Sequence, residues 1–146
     1  MTDPTDKILT ALYTLLNNQI TVTTTVGSGT VQVPFFTFPK NDSTYPYIVV
    51  STIDVVGDND KTAFNTDVLV TLDVVTYYSS DAASTKQANA ISDGIMDKLN
   101  HETLLSLTGL KNWRVRLEAS NFLSEMTQSG RIVRKLMRYR FGVWEG

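Results

Sequence analysis

Two stretches of the chain carry apolar residues at the spacing of an amphipathic helix. The first predicts a helix over about residues 4–17, with Asp3 as its N-cap acceptor and Pro4 at its first position. The second predicts a helix over about residues 82–100, which begins with a capping box between Ser84 and Gln87. The apolar stripes consist of Ile8, Leu9, Leu12, Leu15 and Leu16 in the first helix, and of Ala88, Ile91, Ile95 and Leu99 in the second.

Alternation of apolar and polar residues predicts strands in the rest of the chain. The clearest is Thr66–Tyr77, which places four apolar side chains on one face and Asp67, Thr71 and Asp73 on the other. Such a strand lies in a sheet that is packed on one side only. The apolar face consists of Val68, Val70, Leu72 and Val74 in this strand, and of Met137, Tyr139, Phe141 and Val143 in the last one. The other predicted strands are 20–26, 30–33, 47–53, 113–118 and 132–144.

Turn and loop residues separate these strands. Gly27-Ser28-Gly29 joins the first two strands, which predicts a β-hairpin. Residues 34–46 hold three prolines and are predicted to form an extended loop, while Gly57–Asp60 and Ser124–Gly130 are predicted turns.

The order of elements predicts the fold class. A helix, a hairpin, two strands, a second helix and two more strands favour an α+β fold, with a mainly antiparallel or mixed β-sheet flanked by two α-helices. The chain has 146 residues, which suits one domain over residues 1–146. The strand order is left open by the pattern.

Charge is distributed unevenly along this sequence. The net charge is −2, but residues 1–110 carry 5 basic and 12 acidic side chains, whereas residues 111–146 carry 8 basic and 3 acidic ones. The chain therefore offers an acidic body and a basic C-terminal part to partners of opposite sign. It has no cysteine, no apolar run of the roughly 20 residues that span a bilayer, and acid where a secretory signal has positive charge, so we expect a cytosolic protein without disulfides.

Chemistry-bearing motifs are weak. The single histidine, His101, is placed to end a helix, and no nucleophile elbow accompanies it. The run from Asp58 opens like a calcium loop, but Ala63 and Leu69 stand where that loop needs glycine and glutamate. We expect no catalytic residue, no metal and no cofactor, and hence no enzyme.

Basic residues concentrate in the last two strands and leave two interpretations. A cationic sheet face would suit phosphate contacts in a nucleic-acid-binding module. Glu118 and the acidic strand Asp67–Asp73 offer cross-strand partners instead, so we favour a salt-bridged sheet surface or a subunit contact. The candidate interface residues in these strands are Arg114, Arg116, Arg131, Arg134, Arg138 and Arg140.

The proline-rich loop supplies a second group of candidates. Its aromatic side chains either form a docking segment or fold back onto the core, and both interpretations stay open. They are Phe35, Phe36, Phe38 and Tyr45, and the turn at Asp58, Asp60 and Lys61 completes the set of candidate contacts.

Several short motifs, taken in order, resemble one family. They are Tyr45-Pro46-Tyr47-Ile48-Val49-Val50, the strand ending Val74-Val75-Thr76-Tyr77-Tyr78, the second helix, Leu105, Leu107 and Gly109, and Gly130-Arg131 leading to Arg138-Tyr139-Arg140-Phe141. Over residues 4–144 the chain resembles the tail-terminator or tail-completion proteins of tailed bacteriophages, which join tail to head.

The resemblance implies a structural virion protein. It implies a ring, usually a hexamer, at the head-proximal end of the tail tube, which ends tube polymerisation and offers the head or neck attachment surface. The implied partners are further copies of the chain, the tail tube protein and the head–tail connector or neck proteins, with DNA only as cargo in the ring lumen and no membrane. Assembly would take place in the host bacterial cytoplasm. The alternatives are a head–tail connector subunit or a nucleic-acid-binding α+β module that uses the Arg114–Arg140 strands.

Overall fold

The structure, a computed structural model, describes residues 3–25, 29–38, 45–60, 63–79, 84–100, 104–127 and 130–145, with the side chains of 58–60, 63–65 and 145 outside the description. The elements are α1 (Thr5–Leu16), β1 (Thr21–Thr23), β2 (Thr30–Gln32), β3 (Phe35–Phe36), β4 (Tyr47–Asp60), β5 (Ala63–Tyr78), α2 (Lys86–Lys98), β6 (Lys111–Met126) and β7 (Arg131–Glu145). The predicted α+β class is confirmed. Neither helix of the described residues is long and apolar enough to cross a membrane.

Five strands form one sheet in the order β3-β4-β5-β7-β6. The pairs β4–β5, β5–β7 and β7–β6 are antiparallel, and the two-residue strand β3 pairs with β4 in the parallel sense. Strands β1 and β2 form a separate antiparallel hairpin, as their sequence predicts. Because β7 lies between β5 and β6, the basic C-terminal strand is flanked on one side by the acidic strand β5.

The core lies between the helices and one face of the five-stranded sheet, which we call the inner face. The alternation predicted for β5 and β7 is confirmed, since Val70, Leu72, Met137 and Tyr139 are all fully buried there. From the helices, the stripes represented by Leu12 in α1 and Ile91 in α2 cover these side chains. The opposite side of the sheet, the outer face, carries no helix of the described chain.

The first helix begins as its sequence predicts, with a shift of one residue. The carboxylate of Asp3 accepts a hydrogen bond from the backbone N–H of Thr5 at 2.9 Å, which satisfies one unpaired donor of the first turn. Pro4 is the N-cap residue and Thr5 is the first helical residue.

The second helix differs at its start from the sequence prediction. It begins at Lys86, and the predicted capping box is wrong, because the Gln87 side chain does not return to Ser84. Instead, Gln87 Nε2 donates a hydrogen bond to the carbonyl oxygen of Thr23 at 2.9 Å and ties α2 to the small hairpin. This tertiary hydrogen bond takes the Gln87 amide in place of the local cap.

Two predicted turns and the predicted loop are partly wrong. Strand β4 continues through Gly57–Asp60, which pairs with residues 63–66, and β6 continues to Met126, so that Ser124 lies within a strand. Phe35–Phe36, predicted to be loop, pairs with Ile48 and Val49 of β4. Cross-strand hydrogen bonding extends the hairpin arms past residues that favour turns.

Bulges break the expected alternation of β6. Register shifts lie between Asn112 and Arg114 and between Leu117 and Ala119. The first shift leaves Trp113 44 % exposed and turns Asn112 inward, where its side chain accepts from the Leu105 N–H at 2.8 Å. A bulge adds one residue to one strand and so moves the following side chains to the other face.

Candidate assembly surface

The outer face of the sheet brings the predicted arginines together with acidic residues. Alternation places Arg134, Arg138 and Arg140 of β7 on this face, and β5 contributes Asp67 and Asp73 to the neighbouring strand positions. Strand β6 adds arginine and glutamate on the other side of β7. The surface is therefore a ladder of opposite charges across three strands.

Asp67 holds two arginines at the upper end of this ladder, near the β4–β5 turn. Arg140 Nη1 lies 2.7 Å from Asp67 Oδ2, and Arg114 Nη2 lies 3.3 Å from the same oxygen. Arg140 Nε also donates to Glu118, and Arg138 Nε lies 3.9 Å from that carboxylate. The hydrogen bond to Glu118, followed by that to Asp67, raises the pKa of Arg140 above its ordinary value.

Asp73 anchors the middle of the ladder and is the more deeply buried carboxylate, only 3 % exposed. Arg134 Nε donates to Asp73 Oδ2 at 3.1 Å, its Nη2 contacts the same oxygen, and its Nη1 donates to Glu125 at 2.9 Å. The hydrogen bond to Asp73 is the main cause that raises the pKa of Arg134. A buried carboxylate is stable here because the guanidinium compensates its charge.

The ion pairs leave this face nearly neutral. Among the described residues, four arginines contact four carboxylates, namely Arg114, Arg134, Arg138 and Arg140 with Asp67, Asp73, Glu118 and Glu125. Phosphate binding needs cations whose charge is available, and these are engaged with side chains of the same chain. The geometry favours the salt-bridged interpretation over a nucleic-acid interface.

The two remaining candidate arginines take no part in the ion pairs of the ladder. Arg116 is exposed on the outer face and has no ion-pair partner among the described residues. Arg131 is half-buried at the start of β7, where it pairs in register with Tyr78 and lines a small depression. The structure thus separates these two from the ladder.

The aromatic candidates divide between core and surface. Phe35 is 1 % exposed and packs edge-on against Tyr13 of α1, with ring centroids 6.4 Å apart. Phe36 is half-buried, 6.0 Å from the Tyr47 ring. Phe38, by contrast, is 77 % exposed. Phe35 therefore belongs to the core, whereas Phe38 is available to a partner.

Tyr45 joins a cluster of tyrosine rings at the lower end of the sheet, opposite the β4–β5 turn. It lies 5.3 Å from the ring of Tyr77, which it stacks on, and 5.6 Å from the ring of Tyr47. Burial, then the nearby Tyr45, raises the pKa of the Tyr47 hydroxyl. Stacked rings fix the position of the segment that leads into β4.

The third candidate group lies at the hairpin turn of β4 and β5. The backbone of Asp58 and Asp60 belongs to β4, but their side chains, and all of Lys61, lie outside the described residues, as does His101. Within the described part of the chain, no three acidic or histidine side chains converge as a metal site would require.

Comparison with known proteins decides the family. The family model described as "Tail completion protein gp17" matches residues 10–143. The chain belongs to this family. It is therefore a structural component of the phage virion tail, as its resemblance implied. No curated protein sequence matches the chain.

A solved structure adds a likeness of fold. A chain from the structure titled "Virion of native gene transfer agent (GTA) particle" matches with a TM-score of 0.51 and 23 % sequence identity. The match covers 75 % of this tail completion protein and 78 % of that chain. At this identity the likeness concerns the arrangement of strands and helices.

Sequence reasoning missed several exposed apolar side chains of this tail completion protein. On β6, Phe122 and Leu123 are 44 % and 45 % exposed, and Met126 is 75 % exposed. They lie beyond residue 118, where the predicted strand ended, so the pattern assigned them to no face. Exposed apolar side chains on an edge strand are typical of a protein contact.

Trp113 is another missed surface residue, and a glycine accounts for its position. A Cβ atom at Gly142 would lie 2.7 Å from the Trp113 ring, so the ring covers the bare backbone of β7. The guanidinium of Arg114 lies 4.8 Å from the centroid of the same ring. The spacing of a tryptophan and a distant glycine carries no signal until the strand order is known.

A concave groove lies between α1 and the connector before β6. Its volume is about 610 Å³. Its walls are mainly apolar and are formed by Asp6, Lys7, Thr10, Ala11, Thr14, Leu15, Leu104, Leu105, Ser106 and Thr108. It lies on the helical side of the tail completion protein, away from the charge ladder.

Proposed function

We propose that this protein forms a ring, a hexamer as the family resemblance implies, at the head-proximal end of the phage tail tube. The ring ends tube polymerisation and offers the surface to which the head or neck attaches. Each copy acts as one domain over residues 1–146 and performs no catalysis. Membership of the tail completion family carries this proposal.

Cyclic assembly is compatible with the charge pattern of the chain. A closed ring uses a heterologous interface, in which one patch of a subunit meets a different patch of its neighbour. Residues 1–110 are net acidic and residues 111–146 are net basic, so the two patches can differ in sign. The similar fold of a chain within a gene transfer agent virion supports a place in such a particle.

Termination requires that the two rims of the ring differ. One rim binds the last ring of tube protein, and the other must lack the surface on which a further tube ring would add. The loops at the sheet ends are the candidate rims, since loops commonly carry contacts. They are the Phe35 to Tyr45 segment, the Asp58 to Lys61 turn and the Ser124 to Gly130 segment.

Tube polymerisation in the presence of the protein tests the proposal. Purified tube protein is polymerised with and without the tail completion protein, and tubes are imaged by electron microscopy. We expect a ring at one end of each tube, and tubes that stop growing once it is bound. Tubes that keep their uncapped ends and grow at the same rate would contradict termination.

Addition of purified heads distinguishes the head–tail connector alternative. A terminator is expected to bind tubes first and to make them competent to join heads. A connector subunit would bind tail-less heads and leave tube ends bare. Order-of-addition experiments, scored as the fraction of joined particles, separate the two.

A further inference from the structure

In the described part of the chain, both edges of the five-stranded sheet are open over long stretches. Strand β6 forms one edge over its whole length, Lys111–Met126. At the other edge, β3 covers β4 only at Ile48 and Val49, so in the described chain β4 has no partner on that side from Thr52 onward. Free backbone donors and acceptors at a sheet edge are a template for another strand.

The directions of the two edge strands allow them to meet. Strands alternate in direction from β4 through β5 and β7 to β6, so β6 runs opposite to β4. When copies stand side by side in the same orientation, β6 of one copy therefore meets β4 of the next in the antiparallel sense. The alternation of the sheet continues across the boundary without interruption.

Register places opposite charges in one row. Asp54 of β4 pairs with Leu69, Leu69 pairs with Arg140, and Arg140 pairs with Arg116 of β6. Asp54 and Arg116 consequently end the same row at the two opposite edges, both on the outer face. A sheet that continued straight into the next copy would bring them directly opposite each other.

Both residues are charges of the outer face that the ladder leaves unpaired. Both are exposed, and neither has an ion-pair partner among the described side chains. The other arginines of the outer face all contact a carboxylate of their own chain. An unpaired cation at one edge and an unpaired anion at the other are complementary when the partner is a second copy.

The lower rows bring apolar surfaces together in the same arrangement. The row through Phe122 of β6 passes Lys135, Val74 and Ile48 and ends at Phe35 of β3. Because β3 already fills the place beside Ile48, the end of β6 that carries the exposed Phe122 and Leu123 would pass outside the β3 segment of the adjoining copy and lie against it. That segment leads directly to the exposed Phe38, which gives an apolar contact below the charged one.

We propose that the subunit interface is a continuous sheet, in which β6 of one copy adds antiparallel to the β3–β4 edge of the next and Arg116 faces Asp54. The partner is a second copy of this chain. The inference rests on the proposed ring, and it names the surfaces that build the ring.

Engineered cysteines test this pairing cleanly, because the chain has no cysteine of its own. Asp54→Cys and Arg116→Cys are combined in one chain, which is bound to tail tubes and oxidised mildly. Within a chain the two positions lie three strand spacings apart, roughly 14 Å, which a disulfide cannot bridge. We expect a ladder of disulfide-linked species that ends at the closed ring.

Matched variants define the control and the register. Arg116→Cys with Asp93→Cys, an exposed position on α2, is expected to give no ladder. Thr52→Cys and Val56→Cys, each combined with Arg116→Cys, place the thiol two residues away on the same face and cover a two-residue shift between copies. The pair with the highest yield gives the register.

Charge exchange provides a second measurement. Arg116→Asp and Asp54→Arg are each expected to lower the fraction of capped tube ends severalfold at limiting protein, and the double variant is expected to restore it. Rings on tube ends without a ladder from any of the three pairs would overturn the edge contact and leave the ring proposal intact. Tubes without rings in the unmodified protein would overturn both.

Discussion

Tyr139 offers a sharp test of the core, because its hydroxyl is buried without compensation. The side chain is 0 % exposed, stacks near Phe141, and its oxygen has no hydrogen-bond partner among the described residues. An unsatisfied buried polar group costs roughly 1–3 kcal/mol. Tyr139→Phe removes only the hydroxyl, so we expect it to raise the free energy of unfolding by about 1 kcal/mol at pH 8.

The same burial predicts how stability depends on pH. Burial raises the pKa of Tyr139 from 10.0 to about 12. Above pH 10 the unfolded chain loses the phenolic proton while the folded chain keeps it, so stability is present below pH 10 and is lost as pH rises toward 12. The difference between these two pKa values corresponds to roughly 3 kcal/mol, of which about 1.4 kcal/mol is lost by pH 11.

Urea unfolding at pH 8 and pH 11 measures both effects. Wild type is expected to lose about 1.4 kcal/mol more than Tyr139→Phe between the two pH values. The control is Tyr13→Phe, whose ring is 49 % exposed, and it is expected to follow wild type. Equal pH dependence of wild type and Tyr139→Phe, or a destabilised Tyr139→Phe protein, would refute the reasoning, because the hydroxyl would then have a partner.

Three further predictions concern the outer face. Gly142→Ala should lower the free energy of unfolding by about 1–3 kcal/mol in thermal or urea unfolding, because its Cβ would meet the Trp113 ring. Trp113→Ala should relieve much of that loss, and a double variant whose two effects simply add would contradict the contact. Asp73→Asn should lower the free energy of unfolding by about 2 kcal/mol, since Arg134 loses its buried partner. Glu125→Gln, on an exposed side chain, should lower it by under about 0.5 kcal/mol, and equal losses in the two variants would contradict this ranking. Filter binding of duplex DNA should show weak retention without a steep salt dependence, and a steep one would revive the nucleic-acid interpretation.

The alternation of the long strands made the sheet predictable. In β5 and β7 the residues that face the helices are apolar without exception over four successive inward positions, because one face is dry and the other is not. The apolar stripes of the two helices were predictable for the same reason, since each helix buries one side only. Leu12 and Ile91 are buried as their periodicity predicts.

The departures from prediction arise where tertiary contacts override local preference. Gly57–Asp60 contains turn-favouring residues, but cross-strand hydrogen bonds hold it in β4. Gln87 does not form its predicted cap, because its side-chain amide donates to the Thr23 carbonyl instead. The bulge beside Asn112 is one inserted residue, which no period of two can reveal.

The charged surface shows where sequence reasoning reaches its limit. The basic residues of β7 and the acids of β5 were identifiable as partners, because each set occupies one face of its own strand. Which arginine remains unpaired depends on the strand order, since β7 adjoins the acidic strand β5 whereas β6 does not, and only the edge strands lack a second neighbour. Arg116 and Asp54 become candidate contacts only when the topology is known, because the topology places them at opposite edges of the sheet. In the proposed ring, the neutral centre of the face would discourage contacts with DNA or face-to-face association, and the complementary edges would direct each copy toward the side of the next.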